Sequence, residues 1–265
     1  MFPRCLQAFV FRSFQPSKSG ALAAIAIHFA MSSAYATDEI QVYNAEIAPK
    51  GVVTIQQHLN YVWSGSTTPD FPGSFASNHT LNGTPEFAFG VTDWYEVGFY
   101  LPFAFTSDGT FLPAGFKLRH LFVSPHAEER KFFYGVNFEL SYQAPQFSQS
   151  AIGLEIRPIL GVRDQGWEFI VNPIVDLSFA PNGASAFAPA ARVAHNVGGN
   201  TWLGVEYYSS YSPIDAIPPT NQQQHTVFGV VDFKAFGLDI NLGFGSGLTD
   251  ASDHIVSKII VGRAF

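Results

Sequence analysis

Glu86, Glu96, Glu139, Glu155, Glu168, Asp176, Glu206, Asp232 and Asp239 are interleaved along the chain with Lys117, Arg119, Arg157, Arg163, Arg192 and Lys258. Nearly all of them occupy one parity of alternating segments. Such a set can line a polar constriction that selects solutes. It can also pair across neighbouring strands and brace a narrow barrel. Both readings stay open at this level. The spacings predict one particular cluster. Arg163 should meet Glu168 across the tight turn Asp164-Gln165-Gly166. Arg157 should lie roughly opposite Asn172 and join Glu155 and an acid from another strand.

Other chemistries find less support. His58, His79, His120, His126, His195, His225 and His254 show no metal-ligand spacing, so no metal site or cofactor is expected. The single cysteine, Cys5, lies near the N-terminus, which leaves no disulfide or thiolate chemistry for the rest of the chain. Ser209 and His225 are the best pair for a lipid-modifying enzyme. They fall on outward parity at the outer ends of consecutive predicted strands, but they lack a third member. Gly243-Phe244-Gly245-Ser246-Gly247 precedes no predicted helix, so strand glycines on a crowded inner face explain it better than a phosphate loop. A net charge of -7 without a basic stripe argues against nucleic acid as a partner. No catalytic residues are assigned, and the chain is not read as an enzyme.

The elements that carry these residues have a period of two. Val53, Ile55, Leu59, Tyr61 and Trp63 oppose Thr54, Gln56, His58, Asn60 and Ser64. Val97, Phe99, Leu101, Phe103 and Phe105 oppose Glu96, Gly98 and Ala104. Leu154, Ile156, Leu160 and Val162 oppose Glu155, Arg157, Gly161 and Arg163. Alternation of this kind gives a strand one apolar and one polar face. About twelve such segments, with the ten-residue signature of membrane barrels, begin near Val52, Thr80, Tyr95, Ala114, Lys131, Ile152, Trp167, Ala186, Thr201, Gln224, Gly237 and His254. Those around Ala114 and Ala186 are weakest. Charged residues make up only 13% of the chain and aromatics 15%. Beyond the N-terminus no run of about 18 apolar residues occurs, so helical membrane spans are not expected.

Three features place lipid on the Phe-rich parity. Connections alternate between tight (Thr92-Asp93, Gly198-Gly199-Asn200, Ala235-Phe236) and longer (Ser64 to His79, Gln143 to Ala151, Ser210 to Gln223), as short periplasmic turns and outer loops do. Trp63, Trp94, Tyr95, Trp167 and Trp202 stand at predicted strand ends, where an aromatic girdle meets the membrane interface. The chain ends inside a strand on Phe265, which resembles the terminal signal that outer-membrane proteins present to their assembly machinery. At the other end, Arg4, Arg12 and Lys18 precede the apolar stretch Ala21 to Met31, and Ala34-Tyr35-Ala36 fits a cleavage site. Residues 1–36 therefore read as a secretory signal peptide and 37–265 as the barrel.

The stretch Glu86-Phe87-Ala88-Phe89-Gly90-Val91-Thr92-Asp93-Trp94-Tyr95-Glu96-Val97, followed by Leu101-Pro102, resembles a hairpin of the outer-membrane family of meta-pathway (phenol-degradation) proteins. Gly115 to Arg119, Asn172-Pro173-Ile174 and Leu203 to Tyr207 agree more loosely. The resemblance implies a barrel and uptake of small, often aromatic or apolar, molecules. It brings no catalytic residues.

The expectation is an all-β protein of the Gram-negative outer membrane. It is a transmembrane antiparallel up-and-down β-barrel of about twelve strands, in contact with outer-membrane lipid. Its leading function is passive, porin-like transport of a small-molecule solute through a charge-lined lumen. A sealed structural or surface-interaction barrel is the second reading, and a lipid-modifying outer-membrane enzyme the third.

Overall fold

The computed structural model describes residues 39–181 and 183–265. The expected cleavage after Ala36 and the signal segment 1–36 lie outside the described residues. The described residues are strands joined by turns and loops, with two short 3-10 helices. β1 (Val53–Ser64) pairs with β2 (Leu81–Thr92). The chain then meanders through β3 (Tyr95–Tyr100), β4 (Phe103–Phe105), β5 (Phe111–Pro113), β6 (Gly115–Val123), β7 (Phe132–Gln143), β8 (Ile152–Asp164), β9 (Trp167–Asn172) and β10 (Val175–Ser178). It continues through β11 (Ala186–Phe187), β12 (Ala190–Gly198), β13 (Thr201–Ser210), β14 (Gln224–Ala235), β15 (Leu238–Gly247) and β16 (Ile255–Ala264). Each stretch lies antiparallel to its neighbour. β16 returns to β1, from Thr54 opposite Ala264 to Ser64 opposite Ile255, so the sheet closes.

The sixteen stretches form a twelve-stranded barrel, because four strands are each interrupted once. β3 runs on into β4, β5 into β6, β9 into β10 and β11 into β12. Proline stands at or beside every break: Pro102, Pro113, Pro173 and Pro189. Proline has no N–H to give to a ladder. The neighbouring amides bridge the gaps. Ala114 N donates to Pro102 O at 2.8 Å, and Ala188 N donates to Ile174 O at 2.9 Å. This is why the segments around Ala114 and Ala186 carry the weakest alternation.

The four two-residue turns, at 93–94, 165–166, 199–200 and 236–237, all lie at one end with the start of β1 and the end of β16. The one longer turn there, between β6 and β7, folds as a short 3-10 helix, Ala127–Glu129. The longer loops lie at the other end. On the outer surface Phe, Leu, Ile and Val form an exposed apolar belt, with Phe169, Val205 and Phe244 each about half exposed or more. A closed sheet pairs its backbone groups internally, which is what hydrocarbon demands. The fold is that of bacterial outer-membrane β-barrels.

The inner face is kept passable for large side chains by glycine. A Cβ on Gly161 would lie 1.9 Å from the ring of Phe133, its register partner, and one on Gly245 would lie 2.5 Å from Phe228. The run Gly243 to Gly247 is thus a strand relieved of bulk, as its sequence suggested.

The girdle needs one correction. Trp63 stands at the loop end, and Trp94, Tyr95 and Trp167 stand at the turn end on the outer face. Trp202 does not join them. It is the register partner of Asp232, whose carboxylate is bonded within the lumen, so Trp202 faces inward at the turn-end mouth. Leu203 and Val205 occupy the lipid parity of β13, and the period of two leaves Trp202 no choice. Phe265 extends the seam, its N–H donating to Val53 O at 2.8 Å.

Val205 lies mid-strand on the lipid face. Val205→Arg should destabilise the barrel by about 2–4 kcal/mol, while the same change at Thr201, at the strand end, should cost at most about 1 kcal/mol. Urea unfolding in lipid measures both. Equal effects would show that this parity does not face hydrocarbon.

Candidate functional site

The lumen is not lined by the wall alone. Residues 39–48, which precede β1, run through the barrel with a bend at Ala45 (φ 64°) and lie mostly buried: Glu39, Ile40, Val42, Tyr43, Ala45 and Ala48 are all under one-tenth exposed. The segment leaves at the turn end. There Lys50 bridges to Gly90, and Gly51 N donates to Gly90 O at 2.7 Å. Gly90 is required by this approach, since a Cβ would lie 2.2 Å from the carbonyl oxygens of Ala48 and Pro49.

Sequence reasoning assigned no role to this strap. Its signal was present in the apolar residues Ile40, Val42, Tyr43 and Ile47, which precede any hairpin partner and have no strand neighbour to pack on. Inside the barrel they complete an apolar cluster with Leu121, Phe133, Ile159, Ile170 and Phe228. The lumen is therefore both charged and oily, where charge alone was expected.

The wall grips the strap through its polar groups. Asn172 accepts from Tyr43 N at 2.7 Å and donates to Tyr43 O at 3.1 Å. Arg157 donates to Gln41 O at 3.1 Å, Arg163 to Asn44 O at 3.0 Å and Lys258 to Ile40 O at 2.8 Å. Ala48 N donates to Glu96 at 2.5 Å. Lys117 pairs with Glu39 at 3.2 Å and with Glu139 at 3.6 Å. The Tyr43 hydroxyl lies 3.0 Å from both the Tyr100 hydroxyl and Glu139, and the Arg157 guanidinium sits 4.2 Å above its ring. Cation–π contact gains strength when water is excluded.

The remaining inward charges pair among themselves. Arg119 holds Glu86 at 2.6 Å and also Glu96, and His58 lies 3.1 Å from Glu86. Arg163 meets Glu168 at 2.6 Å as direct register partners. Glu168 also faces Arg192 at 3.3 Å, and Arg192 binds Glu206 at 2.8 Å and Asp232. Lys258 completes the chain, 2.5 Å from Glu206. These inward bases each bind an acid, as a low-dielectric interior requires.

Some placements differ from expectation. Arg157 binds Glu155 through two nitrogens, at 2.6 and 2.9 Å. It also donates to the strap carbonyl of Gln41, and the Glu139 carboxylate of β7 acts on it electrostatically, so an acid of another strand does join it. Its register partner on β7 is Asn137, and on the other side the register puts Asn172 diagonal to it, roughly opposite as expected, with the Asn172 amide serving Tyr43. Asp176 stands opposite Glu155. Asp239 keeps the inward parity but lies at the turn-end rim, where it pairs with Lys234 at 2.7 Å with both side chains more than half exposed. Ser209 and His225 are register partners, yet their polar atoms are engaged elsewhere. Ser209 donates to Pro189 O at 3.2 Å, and His225 is held by Tyr207 at 2.5 Å and Gln223 at 3.0 Å. This arrangement does not present a Ser–His nucleophile to lipid.

At the loop end a cavity of about 130 Å³ opens above the strap. Ile40, Val62, Tyr208 and Phe228 form its apolar floor, and loop residues from Ser66 to Ser77 and from Asp250 to His254 form its rim. Burial pushes the Asp253 carboxyl up from its ordinary range, opposed by a hydrogen bond from Ser77.

Neither a protein-family model nor a curated protein matches the chain. Solved structures do. The chain is similar to the COG4313 outer membrane channel from Pseudomonas putida F1, with a TM-score of 0.60 at 11% identity over 86% of this chain and 100% of that one. It is also similar to the NanC porin, with a TM-score of 0.51 at 8% identity over 79% of this chain and 97% of the porin. At these identities the likeness establishes the shared barrel fold.

Arg119 is the shared partner of two buried carboxylates. Arg119→Ala should lower stability by about 3–5 kcal/mol, the range for stripping one partner from a buried pair. Arg119→Lys should cost less, since an ammonium retains the charge but cannot reach both acids in the same fork. Chemical unfolding of the reconstituted barrel distinguishes them, and equal losses would show that charge is not what Arg119 supplies.

Proposed function

We propose that this barrel is an outer-membrane channel for small molecules, and that the strap at residues 39–48 is its internal gate. One observation carries the reading: a segment with no strand partner occupies the lumen and is held there by side chains from several strands. Those bonds are to backbone atoms and side-chain tips, and they can be exchanged for water one at a time. The wall closes without the strap, through the β1–β16 ladder. Gating needs a wall that stays while its contents move.

The solute is small and aromatic or apolar. The resemblance of the Glu86–Val97 hairpin to the meta-pathway family supports this, as does the apolar cluster that the strap leaves facing the lumen. The channel fold of the two structural neighbours is consistent with it. A sealed barrel is the competing reading, favoured by the completeness of the inward ion pairs. In either case the protein contacts outer-membrane lipid and reaches the membrane through the assembly machinery.

Planar-bilayer recording separates the two readings. Wild-type protein should show small, infrequent openings. Deletion of residues 39–48 should raise the open probability several-fold, and Tyr43→Ala, which keeps the chain length, should do so less strongly. Heat-modifiable gel mobility verifies that each barrel is folded. Silence from all three folded proteins overturns the channel reading.

A further inference from the structure

The cavity at the loop end has a composition unlike the rest of the lumen. Below the strap, acids and bases alternate. Around the cavity, carboxylates stand at Asp70, Asp250 and Asp253, and among the described residues no Lys or Arg lines it, His254 being the basic side chain on its rim. Lys258 lies beneath the floor with its side chain fully buried, held by Glu206 and the Ile40 carbonyl. The cavity is thus largely apolar below, with Asn60, Gln224 and Thr226 also on its wall, and acidic above.

We infer that this cavity is a loading site for a small amphipathic molecule, uncharged or cationic, with an apolar body about the size of one six-membered ring and hydrogen-bond donors at one end. Its volume, about 130 Å³, is near the roughly 150 Å³ apolar cavity that accepts benzene. The apolar body would rest on Ile40, Val62 and Phe228. Donor groups would turn upward to the carboxylate and hydroxyl oxygens of the rim. An anion would meet three carboxylates against the single imidazole of His254, so the site selects against it.

The site deepens the channel reading, because its floor includes Ile40, a residue of the strap. Binding here touches the gate directly. Occupancy need not open it for the site to exist, and the two claims are separable by experiment.

Three ring compounds of similar size test the inference: benzylamine, benzyl alcohol and benzoate. Calorimetric titration of the detergent-folded protein requires no transport. Benzylamine and benzyl alcohol should bind, and benzoate should bind at least about ten-fold more weakly, a ratio worth about 1.4 kcal/mol. The double change Asp250→Asn and Asp253→Asn should weaken benzylamine and spare benzyl alcohol. Ala251→Trp should abolish binding of all three. Ala251 is an exposed loop residue on the cavity lining, so the barrel tolerates the bulk. Val62→Phe fills the same space from the wall, and unchanged gel mobility certifies its fold. Benzoate binding as tightly as benzylamine, binding that survives Ala251→Trp, or no binding of benzylamine and benzyl alcohol overturns the site. Binding as expected by a barrel that never conducts overturns only the channel reading.

Discussion

Backbone amides in hydrocarbon have no water to fall back on, and that constraint organises the rest of this molecule. It forces β16 onto β1, since an open edge would leave a row of unpaired groups facing lipid. Closure then sorts the side chains. One parity of each strand must be oily, and every charge at membrane depth must point into the lumen. Even the proline interruptions obey the rule, because the amides of Ala114 and Ala188 carry the ladder across them.

Confining the charges creates a second problem inside. Twelve strands enclose little space, and buried charges are tolerated only when paired. The answer here is a connected network. Glu168 joins Arg163 to Arg192, and Glu206 joins Arg192 to Lys258. Arg119 gathers Glu86 and Glu96. Glycines such as Gly161 make room for the rings that pack beside these pairs.

The strap depends on both features. Its apolar side chains reach an interior cluster that would otherwise face solvent, and its backbone finds partners among the lumen charges and Asn172. Arg157, Arg163 and Lys258 each serve twice, once to an acid and once to a strap carbonyl. The same side chains thus balance the wall and hold its contents. Around Ile40 the charge pattern changes from alternating to acidic, which separates the outer cavity from the lumen beneath it.

Much of the wall was legible in the sequence. Strand number, strand limits, the lipid parity and the Arg163–Glu168 pair all follow from a period of two and from turn length, because in a meander each strand pairs with its sequence neighbour. Local pattern is then enough to set register and facing. The strap was not legible, and neither were the second partner of Arg157, the inward Trp202, the engaged Ser209 and His225, or the cavity. Tyr43 and Asn172 are 129 residues apart, and no periodicity links them. A strand's alternation states which side chains enter the lumen. What they meet there depends on which other segment fills the same space, and only closure of the barrel around residues 39–48 decided that.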